Sequence, residues 1–346
     1  MADVKTMRAA RLVAYNEPLV IQNIPVPKIG PYELLLNVKA AGFCRTDQDI
    51  LTGDLPPNGM IQLPHTPSHE PAGVVAAIGS KVNGFKVGDR VAGLWSISDC
   101  NLQCDDCKRT DFIRCPKTKG AGINSDGAMA EYMPLDSRAA FKIPPGMSFE
   151  VSCVLVCAGA TVYGAICAAN IPVGGSIAIL GLGGLGHIGV QLAKCMGYTV
   201  TAIDVRQVPI DHVMSSEIKP DVVINASTEL DEKVSHMDKV DGAVNCNDSL
   251  ASAQLGMRIL KRGGTFVVVG GQKEISVSAA DLIHRDIRIK GSLVCTQNQV
   301  HEMVDLVDRF HISVDVTPLD MKDVNMLLPR FHSKEMHGRL VVRINE

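Results

Sequence analysis

A chain of 346 residues with 34 lysines and arginines against 37 aspartates and glutamates is too long for one hydrophobic core and too evenly charged for a nucleic-acid partner. Two domains serving a small-molecule site are therefore expected. No apolar run is expected to reach the roughly 18 to 20 residues that a spanning helix needs, and Met1 to Arg11 lacks the apolar stretch of a signal peptide, which points to a cytoplasmic protein with no membrane partner. In that compartment eleven cysteines make a poor disulfide framework, so clustered cysteines read first as metal ligands.

Along residues 1–152, short β-branched runs such as Leu34 to Val38, Gly73 to Ile78 and Asp89 to Gly93 are separated by Gly and Pro turn signals. That pattern predicts an irregular, mostly β domain. Within it, at about 96–118, Cys100, Cys104, Cys107 and Cys115 fall in a polar loop beside Asp105, Asp106, Lys108 and Arg109. Four thiolates so close favour a tetrahedral structural zinc, which would substitute for the core this loop cannot build.

From residue 153 to 289 the character changes. Apolar runs Ile177 to Leu180, Val200 to Ile203, Val222 to Asn225, Gly242 to Asn245 and Thr265 to Val269 alternate with helix-like stretches, which predicts a parallel sheet with helices on both faces, an α/β domain. The remaining residues, 290–346, hold an amphipathic stretch from Val300 to Phe310 and a strand-like Arg339 to Ile344, and most of this tail is assigned back to the first domain. The two crossings are expected near Cys153 to Gly164 and near Ile287 to Ser292.

Between the first of these strands and the helix-like Ile188 to Met196 stands Gly181-Leu182-Gly183-Gly184-Leu185-Gly186. Gly181 permits the tight turn, Gly183 lets backbone approach a pyrophosphate, and Gly186 allows close packing of helix on strand. Position after a strand and before a helix separates this dinucleotide fingerprint from an ordinary glycine-rich turn. The next strand ends at Asp204, a carboxylate able to accept from ribose hydroxyls and to repel a 2′-phosphate, which favours NAD over NADP. Arg206, two residues on, would shelter a phosphate if the loop turned back.

Three further residues, Cys44, His69 and Cys157, are dispersed, and spacing alone does not join them: each by itself also reads as packing or as a hydrogen-bonded core residue. The words around them do join them. Val38-Lys39-Ala40-Ala41-Gly42, Cys44-Arg45-Thr46-Asp47, His69-Glu70, Gly88-Asp89-Arg90-Val91, the cysteine lobe, Cys157-Ala158-Gly159-Ala160-Thr161-Val162-Tyr163, the glycine loop and Gly338-Arg339 together resemble the zinc-containing medium-chain dehydrogenase/reductase family, in particular its yeast-type alcohol dehydrogenases. The likeness covers nearly the whole chain.

The resemblance implies a Rossmann-type doubly wound parallel-sheet domain and a mostly β, GroES-like catalytic domain. It implies Cys44, His69 and Cys157 as ligands of a catalytic zinc with its fourth position open, and Asp47 and Glu70 as charged neighbours that orient them. Cys157 rather than Cys153 matches, because the Ala-Gly-Ala-Thr-Val-Tyr run follows it. Thr46 matches the hydroxyl that touches the substrate oxygen, Trp95 and Leu94 the pocket wall, and Thr161 and Val269 the neighbourhood of the cofactor. Arg45 and Arg339 match pyrophosphate contacts. Reversible hydride transfer between a primary or secondary alcohol and NAD, giving aldehyde or ketone, follows from the likeness, with two zinc ions per subunit and a homodimer or homotetramer.

Four departures stand out. Asp49 occupies the place of a histidine at the solvent end of the proton relay. Ser68 and Pro71 replace glycines beside the histidine ligand, which predicts a stiffer loop. Cys100 and Cys104 are one residue further apart than in most relatives. The segment Arg206 to Pro220 is short, and Pro209 is expected to limit any helix there. Two other readings fit the same fold: a zinc-free quinone or enoyl reductase, and a non-catalytic NAD-binding protein.

Overall fold

The computed structural model describes residues 5–54, 61–98, 104–105, 107, 114–115, 117–228, 236–271 and 274–345. It divides into two units, one running to Cys157 and resuming at Asp315, the other Ala158–Val314.

The first unit opens with an antiparallel pair, β1 (Thr6–Arg11) and β2 (Val20–Pro25), and is organised by β3 (Glu33–Phe43). Alternate residues Leu34, Leu36 and Val38 of β3 are fully buried, and from Ala40 to Phe43 burial becomes continuous, so one face and then both are covered. Helix α1 (Arg45–Thr52) follows directly. Strands β4 (Pro71–Ile78) and β5 (Arg90–Gly93) extend the sheet antiparallel to β3, β6 (Ser96–Ser98) and β7 (Thr118–Gly120) form a separate pair, and β8 (Tyr132–Asp136) and β9 (Ala140–Lys142) return to β3 and β5. Leu34, Leu36, Val38, Phe43, Val75, Val91, Met133 and Leu135 make one core. Each contributes about 1.5–3 kcal/mol when fully buried.

Helix α2 (Phe149–Val154) passes through a π-helical turn, Leu155–Gly159, into α3 (Ala160–Ala168). This continuous helical run corrects one sequence expectation, since Phe149–Ala168 is long and apolar enough by length and composition to cross a bilayer. Glu150, Ser152 and Thr161 interrupt it as a plain apolar stretch, which hid it, and 72% of its apolar 18-residue window is buried inside the protein, as in a core helix.

In the second unit, β10 (Ser176–Leu180), α4 (Gly186–Cys195), β11 (Thr199–Asp204), α5 (Gln207–Ser215), β12 (Val222–Asn225), β13 (Val240–Asn245), α6 (Leu250–Arg258), β14 (Leu260–Val268), α7 (Ala279–Arg285) and β15 (Arg288–Gly291) alternate. The strands are parallel in the order β12-β11-β10-β13-β14-β15. Neighbours β10 and β13 flank the point where strand order reverses, the place where such sheets open a crevice. Their near-unbroken apolar runs, Ile177 to Leu180 and Ala243 to Val244, are buried on both faces.

Two expectations are corrected here. Pro209 does not prevent a helix, because it is the third residue of α5, in the first turn, where a missing N–H breaks no intrahelical bond. The second crossing falls at Val314, not near Ile287. Helix α8 (Gln297–Arg309), started by a Thr296–Gln299 capping box, turns Val300, Met303, Val304 and Val307 into the second unit against α3 and α4, and Gln191 of α4 bonds both ways with Ser313.

Asp241 joins β13 to β10: its carboxylate accepts from the Ser176 backbone (2.8 Å), the Ser176 hydroxyl (2.9 Å) and Lys261 (2.8 Å). Burial works against its charged form, but these donors outweigh it and hold the pKa below the ordinary value. A depressed folded-state pKa stabilises above the unfolded value, about 3.9, and that stability is lost as pH falls through the folded one. Asp241→Asn is therefore expected to lose about 1–2 kcal/mol at neutral pH. Thermal melts across pH check this: the gap from the parent should close below about pH 4, and a gap independent of pH would contradict it.

The chain then returns to the first unit. Strand β16 (Val316–Asp320) runs parallel to β17 (Arg339–Arg343), and β17 lies antiparallel to β3 with Leu340 opposite Phe43. The carboxyl end of β3, the start of β4 and the start of β17 thus share one end of the sheet, and there the site is built.

Candidate metal centre and dinucleotide site

Cys44 leaves β3 as the cap of α1, its sulfur accepting from Thr46 N (3.3 Å) while its own N–H donates to Asp47 Oδ2 (2.8 Å). Asp47, fully buried, also accepts from Ser68 N (2.8 Å), so one carboxylate sets both ligand-bearing loops. His69 precedes β4, and Cys157 sits in the π turn. Its extra residue per turn rotates the side chains after α2 relative to those before. Cys153, on the α-helical side, is wholly buried with its thiol on the Glu150 carbonyl, a packing position.

His69 Nε2 lies 3.4 Å from Cys44 Sγ and 3.2 Å from Cys157 Sγ. A tetrahedral zinc with bonds of about 2.3 Å to sulfur and 2.0 Å to nitrogen separates such donors by about 3.5 Å. The donor set fits the ion in type and spacing. A hydrogen bond between the two thiols lowers Cys44 well below its ordinary pKa and raises Cys157, burial works upward on both, and His69 pulls Cys44 down further. Burial alone would lower His69, yet Cys44 and Asp47, the latter 3.7 Å from Nδ1, carry it well upward. Glu70 completes the cluster.

Ser68 keeps the left-handed backbone of the glycine it replaces, φ +77°. Its hydroxyl offsets the strain by donating to the Gly42 carbonyl (2.7 Å) and accepting from Glu70 N (3.3 Å). Pro71 opens β4, where a strand tolerates it. The expected stiffness is thus met by bonds rather than by distortion.

Arg339 has a partner that its sequence assignment did not name. Its guanidinium is buried against Glu70, and the pair is 7% and 0% exposed, so it neutralises a carboxylate beside the thiols. Burial pushes the Glu70 carboxyl up to about 7 against the pull of Arg339. Arg45, 61% exposed, pairs with Asp49 at 3.3 Å, and burial raises the Asp49 carboxyl against that pull. Thr46 is half-buried one residue beyond Arg45. Leu94 is fully buried with its N–H on Ala139 O, a core position, whereas Trp95 is half-buried with its ring over Gly120.

In the cysteine lobe, Cys104 and Cys115 sulfurs stand 3.6 Å apart and Cys107 joins them. Cys100 lies outside the described residues. Two sulfurs on one tetrahedral zinc are separated by about 3.8 Å, so these three fit a structural ion as well.

The second unit carries the glycine loop. Gly181 takes φ +90°, and a Cβ on Gly186 would fall 1.9 Å from Gly181 O, so no larger residue fits there. Above Gly183 the space is open except for Arg206 Nη2, 3.8 Å from where a Cβ would stand, and Gly184 and Leu185 lead into α4. That opening is where backbone can approach a phosphate. Asp204 ends β11, buried, and Thr161 lies partly buried in α3.

The crevice between β10 and β13 also holds residues the sequence reading passed over. Asn247 donates to Leu180 O (3.3 Å) and the Ser252 hydroxyl (2.8 Å), Ser252 donates to Asn245 Oδ1 (2.8 Å), and Gly270 packs so tightly on Asn247 that a Cβ would meet its carbonyl at 2.1 Å. Val269, expected at the cofactor, donates its N–H to Asn245 O. Asn245 at the carboxyl end of β13 and Asn247 two residues beyond it were the available signal.

The alcohol dehydrogenase GroES-like domain family matches residues 30–145, and the zinc-binding dehydrogenase family matches residues 184–309. An alcohol dehydrogenase of Geobacillus stearothermophilus is 32% identical over 345 residues, covering 98% of this chain and 100% of that one. The crystal structure of the alcohol dehydrogenase of the hyperthermophilic archaeon Aeropyrum pernix superposes with a TM-score of 0.87 at 30% identity, covering 97% of this chain and 99% of that one. Acetophenone reductase from Geotrichum candidum, solved in complex with NAD, gives a TM-score of 0.85 at 28% identity, covering 98% of this chain and 97% of that one.

Proposed function

Since the chain belongs to the zinc-containing medium-chain dehydrogenase/reductase family, we propose that it is an alcohol dehydrogenase that passes a hydride between a primary or secondary alcohol and NAD. The observation that carries this reading is the convergence of Cys44, His69 and Cys157 on one point with spacing suited to zinc. A zinc-free reductase of the same fold has no use for that convergence.

Cys44, His69 and Cys157 would hold the ion, and Asp47 fixes the loops that bear the first two. Zinc bound there would supply Lewis acidity toward the alcohol oxygen, and NAD held by the glycine loop would supply the hydride acceptor. Thr46, beside Cys44, offers the hydroxyl that would pass the alcohol's proton outward, giving up its own as it accepts the other. Asp49, three residues on in the same helix and paired with Arg45, lies on the way to water. Burial raises the Asp49 carboxyl while Arg45 opposes the rise, so this residue can join the relay, and its side chain, 29% exposed, lets the proton go on to solvent.

A panel of short primary, secondary and aromatic alcohols with NAD, run beside metal analysis of the purified protein, tests the reading. Alcohol-dependent NADH formation by a protein carrying zinc at both sets of ligands is expected. Normal zinc and NAD binding without turnover would favour the binding-protein reading, and reduction of a conjugated double bond by metal-free protein would favour the zinc-free reductase.

A further inference from the structure

The adenosine end of the glycine loop sets a carboxylate and a guanidinium side by side. Exclusion of a 2′-phosphate needs a carboxylate with its charge turned toward the ribose. Here both oxygens of Asp204 are engaged by the chain itself: Oδ2 accepts from Leu182 N (2.7 Å), and Oδ1 accepts from Val205 N (2.8 Å) and Arg206 N (2.9 Å). Asp204 is 8% exposed, and its first task is to lash the glycine loop to the end of β11. Three N–H dipoles already spread its charge.

Arg206 adds to this. The loop after β11 turns back, so that Arg206 Nε lies 3.7 Å from Asp204 Oδ1 while Nη2 stands over Gly183, on the open side of the phosphate loop. The side chain is 50% exposed. One edge of the guanidinium is therefore turned to the carboxylate and the other to the opening, and the planar fork suits a phosphate there.

We propose that Arg206 makes this site competent for a 2′-phosphorylated adenosine, so that the chain accepts NADP as well as NAD. The proposal rests on the dinucleotide reading of the glycine loop. It makes Arg206 the residue that sets the cofactor ratio, and Asp204 mainly a clamp on the loop.

Calorimetric titration of the zinc-loaded protein with ADP-ribose and with 2′-phospho-ADP-ribose tests it without any turnover. The parent should bind the two within about tenfold of each other. Arg206→Gln should weaken the phosphorylated compound about ten- to a hundredfold more than the unphosphorylated one, a charged hydrogen bond's share of affinity. Arg206→Lys, which keeps the charge, should recover part of that difference. A parent that binds ADP-ribose but takes the phosphorylated form more than about a hundredfold more weakly overturns the proposal, as does an Arg206→Gln that weakens both equally. Binding of neither compound would instead sink the dinucleotide reading, and this one with it.

Discussion

Cys157→Ala should give a protein that still binds ADP-ribose and has lost both the ion at the Cys44 and His69 site and its alcohol turnover. Three donors make the smallest set that holds zinc with a position open, and two leave it weakly bound. The rate should fall by about 10³-fold or more, since Lewis-acid stabilisation is worth several kcal/mol and each 1.36 kcal/mol is tenfold. Metal content, turnover and calorimetric binding read the three effects separately. Cys153→Ala is the control, because that thiol is bonded to the Glu150 carbonyl and not to the cluster. Full turnover by a Cys157→Ala protein stripped of the metal would refute the proposed chemistry.

The second large effect concerns the buried pair. Glu70 and Arg339 are 0% and 7% exposed, and removing either partner strands a charge in the interior. Such a loss typically costs about 3–5 kcal/mol, whereas exchanging both for apolar groups of similar volume is often close to neutral. Arg339→Met is therefore expected to lower the thermal midpoint strongly, and Glu70→Leu combined with Arg339→Met to recover most of the loss. Unfolding of the single and double variants decides the matter. Additive losses, or a single variant within about 1 kcal/mol of the parent, would mean that the two side chains are not energetically coupled.

Much of this is legible in the sequence alone. The apolar runs of the parallel sheet lie within a few residues of the observed strands, because strands buried on both faces need unbroken apolar sequence. The glycine loop was equally plain, each glycine answering a backbone demand. Cys44, His69 and Cys157 were legible only through the words around them, since no local period links a strand end, a loop and a π turn. What escaped was long-range. Arg339 and Glu70 are 269 residues apart, and nothing in Gly338-Arg339 tells a pyrophosphate contact from a buried counter-ion. Helix α8 was recognised as amphipathic, but periodicity names a buried face without naming the surface it meets, which is why the second crossing was placed too early. Leu94 beside Trp95 read as pocket wall because adjacency in sequence says nothing of which side chain faces inward.

The register of β17 against β3 has a bearing on how the molecule comes into being. The guanidinium that offsets Glu70 is carried by β17, 269 residues further along the chain, and cannot dock before that strand has been made. Until then the nascent chain holds its thiols and imidazole beside an uncompensated carboxylate. Completion of this corner of the sheet waits on a distant segment, and a polypeptide cut before Arg339 would carry Cys44, His69 and Cys157 without the cation that offsets their acidic neighbour.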